Sequence, residues 1–278
     1  MKIPVADGVK LNVQVQGSGS PIVLLHGFPQ THLMWRHVAA DLAADHTVIC
    51  PDLRGYGDSD KPKTGYDKRT MAQDIVAVAR HLGFSKFALA GHDRGAHVAF
   101  RAGLDHPDTV THLAMLDILP TLDMWDVLHG ASAAVGFHLF LMAQPPGLPE
   151  QMINAAPDAF FGYFLDGWSK NAFPEEIREA YLKASREAVD SIVADYRATA
   201  TVDIEHDTQD LGKTLKMPVM VMQQDWGAAL SYDAKARWQK WAPGLTHITV
   251  NSGHFMAEES PAEVIKALRE LLEPADRR

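Results

Sequence analysis

The chain has 278 residues, 46% hydrophobic and 22% charged, globular values that exclude a disordered, collagenous or low-complexity protein and suit one α/β domain with an insertion. Lys and Arg number 26 against 35 Asp and Glu, a net charge of −9, which argues against a nucleic-acid partner because that would want a basic stripe. One cysteine, Cys50, permits no intramolecular disulfide; with no signal-like N-terminus and no apolar run long enough for a bilayer, no membrane is expected and the expected location is cytoplasmic.

Val9 to Gln16 alternates apolar and polar residues, a half-buried strand. After the turn Gly17-Ser18-Gly19-Ser20-Pro21, Ile22-Val23-Leu24-Leu25 runs apolar throughout, as in a strand buried on both faces. These two are expected to pair as an antiparallel hairpin at the sheet edge. A helix over 35–43, a strand over 47–50, a helix over 70–82, a strand over 86–90, a helix over 95–105 and a strand over 110–116 follow. Such alternation implies right-handed crossovers and a mainly parallel sheet. From about 119 to 212 the pattern is helical and broken by prolines; strands resume at Val219–Met222 and Thr246–Val250, and a helix closes the chain over 261–272. The expected division is an α/β core of 1–118 and 213–278 carrying a helical cap of 119–212.

Gly91-His92-Asp93-Arg94-Gly95 lies between a buried strand and a helix. Glycines around the central residue let it take a strained backbone and project from the sheet edge, which is the nucleophile elbow with Asp in place of Ser. An aspartate there also suits a helix N-cap, but the strand before it and the glycines on both sides favour catalysis. His254 follows the last strand in Asn251-Ser252-Gly253-His254, where a base belongs. An acid to orient it is offered by Asp117, after the strand 110–116, or by Asp225, after the next one. His26-Gly27-Phe28-Pro29 follows an early strand, and the backbone N–H groups of Phe28 and Arg94 would form an oxyanion hole. A carboxylate attacking a saturated carbon with a leaving group gives a stable alkyl ester, so Asp93 points to substitution at an sp³ carbon. His254 would then activate water against that ester. The scheme needs no cofactor and no metal.

On these motifs, with Asp52-Leu53-Arg54-Gly55-Tyr56-Gly57 and Leu116-Asp117-Ile118-Leu119-Pro120, the chain resembles the α/β-hydrolase superfamily and, over nearly its whole length, the fluoroacetate (haloacetate) dehalogenases. The resemblance implies an α/β fold with a mainly parallel central sheet, helices on both faces and a helical cap. It favours Asp117 as the acid and implies a homodimer. It also implies a substrate carboxylate held by Arg94 and by the residue three further on, here His97, and a halide received by His138, by the residue beside it and by Tyr196. That neighbour is Leu139 where the resembled enzymes carry Trp. A lost N–H donor costs fluoride most, so chloride and bromide are expected to leave more readily.

The expected function is therefore hydrolytic dehalogenation of a short 2-haloacid, a small-molecule substrate. The alternative is an epoxide hydrolase with the same nucleophile, in which His138 and Tyr196 donate to the opening oxygen. A non-catalytic ligand-binding protein is the third reading; the complete set Asp93, His254 and Asp117 argues against it.

Overall fold

The computed structural model describes residues 1–224 and 232–273. Eight strands form one sheet: β1 (Lys2–Pro4), β2 (Lys10–Gln16), β3 (Ser20–Leu25), β4 (His46–Pro51), β5 (Phe87–His92), β6 (Val110–Leu116), β7 (Val219–Gln223) and β8 (Thr246–Thr249). Their spatial order is β1-β2-β4-β3-β5-β6-β7-β8. All pairings from β4 to β8 are parallel, and β1 and β2 add an antiparallel edge. The centre of the sheet is fully buried on β5 and β7, in keeping with strands covered on both faces.

The expected hairpin is not formed. β2 pairs with β4 through Val13–Gln16 and Val48–Pro51, and β4 separates it from β3. The connection between β2 and β3 passes the start of β4 so closely that a Cβ on Gly17 or Gly19 would lie 2.2 Å from the carbonyl oxygen of His46 or Asp45. The glycine-rich turn serves that crossing, with φ at +76° and +124°, values that favour glycine.

The helices α1 (Arg36–Leu42), α2 (Lys68–His81) and α3 (Arg94–Asp105) link the first parallel strands. Between β6 and β7 the chain is helical: α4 (Thr121–Val127), α5 (Phe137–Met142), α6 (Leu148–Ala155), α7 (Pro157–Gly167), α8 (Glu175–Arg186), α9 (Val189–Thr199) and α10 (Val202–Gln209). After β7 come α11 (Ala234–Gln239), α12 (Met256–Glu259) and α13 (Pro261–Leu272). Trp238 and Trp241 pack edge-on against Phe100 of α3. Among the described residues no helix is long and apolar enough to cross a membrane.

Candidate active site

Parallel strands deliver their carboxyl ends to one edge, where open α/β sheets bind ligands. Asp93 leaves β5 with φ 48° and ψ −114° and is followed at once by α3. The glycines around it are sterically required. A Cβ on Gly91 would sit 2.3 Å from the Gly95 oxygen, and one on Gly95 would sit 2.4 Å from the His26 oxygen. Asp117 leaves β6 at φ 51°, with its N–H bonded to the Met222 oxygen at 2.8 Å. Asp is among the few side-chain-bearing residues that enter this region readily.

Asp93, His254 and Asp117 come together from three loops. His254 Nδ1 lies 2.6 Å from Asp117 Oδ2, and its Nε2 lies 3.9 Å from Asp93 Oδ2. Gln224 holds Asp117 through its backbone N–H at 3.2 Å and its side-chain amide at 2.7 Å. The competing acid Asp225 lies outside the described residues. The Phe28 N–H donates to Asp93 Oδ1 at 2.7 Å, so one carboxylate oxygen is held and the other faces the base. Arg94 opens the twelve-residue helix α3, whose N-terminus favours negative charge at Asp93. His26 supports the loop: its Nε2 accepts from the Leu53 N–H at 3.0 Å.

The electrostatics separate the roles. Burial opposes ionisation of Asp93, but the charges of His254, His92 and Arg94 and the Phe28 N–H outweigh it, and its pKa falls below the ordinary carboxylate value. Burial likewise opposes the His254 imidazolium, but the hydrogen bond and charge of Asp117, with the charge of Asp93, raise its pKa. His92 donates from Nε2 to the His254 oxygen at 2.7 Å, and burial holds its pKa down at about 4.

His138 and Tyr196 meet with ring centroids 5.3 Å apart and their planes at 72°, each against Phe28. Burial lowers the His138 pKa to about 3. Burial and the Asp93 charge hold the Tyr196 phenol far above the usual tyrosine range. Both are neutral hydrogen-bond donors at working pH.

The carboxylate-binding role expected of Arg94 and His97 does not fit the geometry. The Arg94 guanidinium is paired with Asp195 through one edge, with Nε 3.0 Å from Oδ2 and the Nη2 nitrogen 2.8 Å from Oδ1, and it also bonds Thr199. His97 donates from Nε2 to the Leu119 oxygen at 2.9 Å; burial, then the charges of Arg94 and Lys68, bring its pKa to about 3, so it is no cation. Arg101 is occupied by Asp105, Asp207 and Asp210.

A cavity of about 120 Å³ opens onto Asp93, His254 and His138, walled by Leu119, Met124, Val127, Leu128, Leu139 and Trp168. No Arg or Lys lines it among the described residues, and Tyr196, packed on His138, is likewise outside the lining. Trp168 escaped the sequence reading. Its ring stands 5.0 Å from His254 and 5.1 Å from His138, and its carbonyl accepts the His254 N–H at 2.9 Å. The available signal was the spacing of Phe161, Phe164 and Trp168, which puts three aromatic rings on one helix face.

The family profile of the alpha/beta hydrolase fold matches residues 20–261. The chain belongs to this family. It is 40% identical to a fluoroacetate dehalogenase of a Burkholderia species, over 96% of this chain and 91% of that one. It is 36% identical to a soluble epoxide hydrolase of a Corynebacterium species, over 96% and 95%. A crystal structure of a putative alpha/beta hydrolase from Nostoc sp PCC 7120 superposes with a TM-score of 0.94 at 38% identity, covering 98% of this chain and 97% of that one. The chain is thus a hydrolase of the alpha/beta superfamily, similar to both dehalogenases and epoxide hydrolases.

Proposed function

We propose that this hydrolase opens a small, uncharged epoxide to a diol through an ester on Asp93. The observation that carries the reading is the makeup of the pocket: its cavity meets Asp93, His254 and the neutral donor His138 between apolar walls, with no Arg or Lys among its described lining residues. A substrate carboxylate would be repelled by the Asp93 carboxylate, and the nearest arginine, Arg94, is already paired with Asp195. A neutral epoxide meets no such barrier.

In this reaction Asp93 Oδ2 attacks an epoxide carbon while His138 and Tyr196 hydrogen-bond to the ring oxygen. The C–O bond breaks, and the alkoxide takes the Tyr196 phenolic proton. His254 then removes a proton from water as the water oxygen adds to the ester carbonyl. The developing oxyanion sits on the Asp93 oxygen facing the Phe28 N–H. Collapse breaks the ester C–O bond, the proton of the hydroxyl added from water passes to the departing alkoxide to release the diol, one water-derived oxygen stays in the Asp93 carboxylate, and the proton on His254 restores Tyr196. Asp117 holds the imidazole and stabilises its charge.

A dry cavity of about 150 Å³ accommodates benzene, so the space beside Asp93 suits a short-chain or monocyclic epoxide. The reading is tested by turning over 1,2-epoxybutane and cyclohexene oxide beside chloroacetate, bromoacetate and fluoroacetate. Diol without halide supports it; halide release with no diol overturns it.

The second reading, dehalogenation of short 2-haloacids with chloride and bromide leaving before fluoride, is favoured by the 40% identity to a fluoroacetate dehalogenase. It requires Arg94 to reach the substrate carboxylate while Nε and Nη2 face Asp195.

A further inference from the structure

Five residues past the base, Glu259 ends the short helix α12 and turns back across the turn that carries His254. Its Oε1 accepts from the Phe255 N–H at 3.2 Å, and its Oε2 accepts from the Lys170 N–H at 2.7 Å and the Asn171 N–H at 3.3 Å. Lys170 and Asn171 lie in the link between α7 and α8, part of the helical segment between β6 and β7. That link is irregular, so no helix or strand ladder serves the two N–H groups, and one carboxylate satisfies both. A Cβ on Gly253 would stand 2.4 Å from Glu259 Oε1 and 2.8 Å from the Lys170 nitrogen. The glycine before the base is what lets the link and the carboxylate meet there.

The same link carries Trp168, whose carbonyl accepts the His254 N–H at 2.9 Å and whose ring walls the cavity. The His254 carbonyl is held from the opposite side by His92 Nε2 at 2.7 Å, and the imidazole is held through Nδ1 by Asp117. Of these three supports only the Trp168 carbonyl comes from the segment between β6 and β7, so its place depends on how the link is anchored. Lys170 Nζ bonds Asn251 Oδ1, but that contact is exposed. The neighbouring carboxylate, Glu258, is committed to Arg36 and Tyr181. Glu259 supplies the anchor, with three hydrogen bonds from the backbone on both sides of the contact.

We infer that Glu259 is a positioning residue for the second half of the reaction: by tying the α7–α8 link to the turn of His254, it holds the base where it can take a proton from water. Ester formation needs Asp93 and the donors on the leaving oxygen, and a shifted His254 leaves it untouched. Ester hydrolysis needs the imidazole, a water and the ester carbonyl in line, and such a constellation tolerates little misplacement. The inference rests on an ester at Asp93 with His254 as its base, a scheme common to epoxide opening and halide displacement.

The test separates the two half-reactions by single-turnover kinetics with mass detection of the ester, in the wild type, Glu259→Ala and Glu259→Gln. The substrate is 1,2-epoxybutane, replaced by bromoacetate if the wild type opens no epoxide. The expected result for Glu259→Ala is ester hydrolysis slowed about tenfold to a hundredfold, the worth of a charge-assisted hydrogen bond, with ester formation within about threefold of wild type. Glu259→Gln keeps one carbonyl oxygen as acceptor and should lose less in the same step; it takes the place of Glu259→Ala if that variant does not fold. Hydrogen exchange read by mass spectrometry checks the contact without turnover: residues 168–171 and 253–256 should lose protection in the variant while α3 keeps its own. An equal loss in both half-reactions, as a merely loosened fold would give, overturns the inference, and so does unchanged hydrolysis or unchanged exchange. Halide release without diol, with hydrolysis slowed in Glu259→Ala, would sink the proposed function and leave this inference standing; diol formation with hydrolysis unchanged in that variant would do the reverse.

Discussion

His254 Nε2 lies 3.9 Å from Asp93 Oδ2, beyond hydrogen-bond reach and within range of an ion pair. The base therefore leaves the nucleophilic oxygen unbonded and available for attack. The other Asp93 oxygen is already fixed by the Phe28 N–H. Asp93→Asn should cut turnover by about four orders of magnitude or more, as loss of a nucleophile does. His254→Gln should instead stop the reaction at the ester. Intact-protein mass spectrometry reads both: an adduct of substrate mass on His254→Gln and none on Asp93→Asn. Wild-type turnover in either variant excludes the mechanism.

The two half-reactions should part company with pH. His254 must be neutral to accept a proton from water, and its pKa is raised. Ester hydrolysis should thus fall about tenfold per unit as pH drops below that pKa. Formation of the ester needs only ionised Asp93, whose pKa is lowered, so it persists further into acid. Esterification cancels the Asp93 charge, so the pKa that governs hydrolysis is lower than that of the free enzyme. Rapid-quench mass spectrometry at about pH 5.5 and about pH 8.5 should find ester accumulating only at the lower value; equal amounts at both would remove His254 from the role of base.

His138 and Tyr196, paired at 5.3 Å, should act on the leaving oxygen. Tyr196→Phe and His138→Leu should each slow ester formation about tenfold to a hundredfold, with a smaller loss in ester hydrolysis. Single-turnover kinetics separates the two steps. A loss confined to hydrolysis would place these residues elsewhere in the mechanism.

Leu139 walls the cavity and is nearly fully buried. Leu139→Trp should fill most of the space, abolish cyclohexene oxide turnover and, on the haloacid reading, raise defluorination by supplying an N–H. Leu139→Ala should admit longer chains and lower stability by about 2–5 kcal/mol. Product profiles and thermal melts decide both; an unaltered substrate range would mean that this wall does not contact substrate.

Asp93 and His254 were legible as a candidate nucleophile and base because each is announced by its neighbours, glycines around Asp93 and a Ser-Gly turn before His254; a strand end precedes Asp225 as well as Asp117, so only the resemblance favoured Asp117, which the structure places 2.6 Å from His254. Strands and helices in the parallel core were legible because both faces are apolar. The hairpin was misread because a turn is a local signal, whereas the insertion of β4 between β2 and β3 depends on long-range pairing. The fate of Arg94 was hidden for the same reason. Its partner lies 101 residues away, and nothing in Gly91-His92-Asp93-Arg94-Gly95 says whether the guanidinium meets substrate or another part of the chain. The neutral state of His97 likewise follows from burial under the elbow, a property of the assembled molecule.

Asp195 belongs to α9, whereas of its partners Lys68 opens α2, Arg94 opens α3 and Tyr56 lies in the loop after β4. Swinging α9 outward would draw a carboxylate out of contact with two buried cations, and parting such pairs costs about 3–5 kcal/mol. The roof over Asp93 is therefore bolted at this corner.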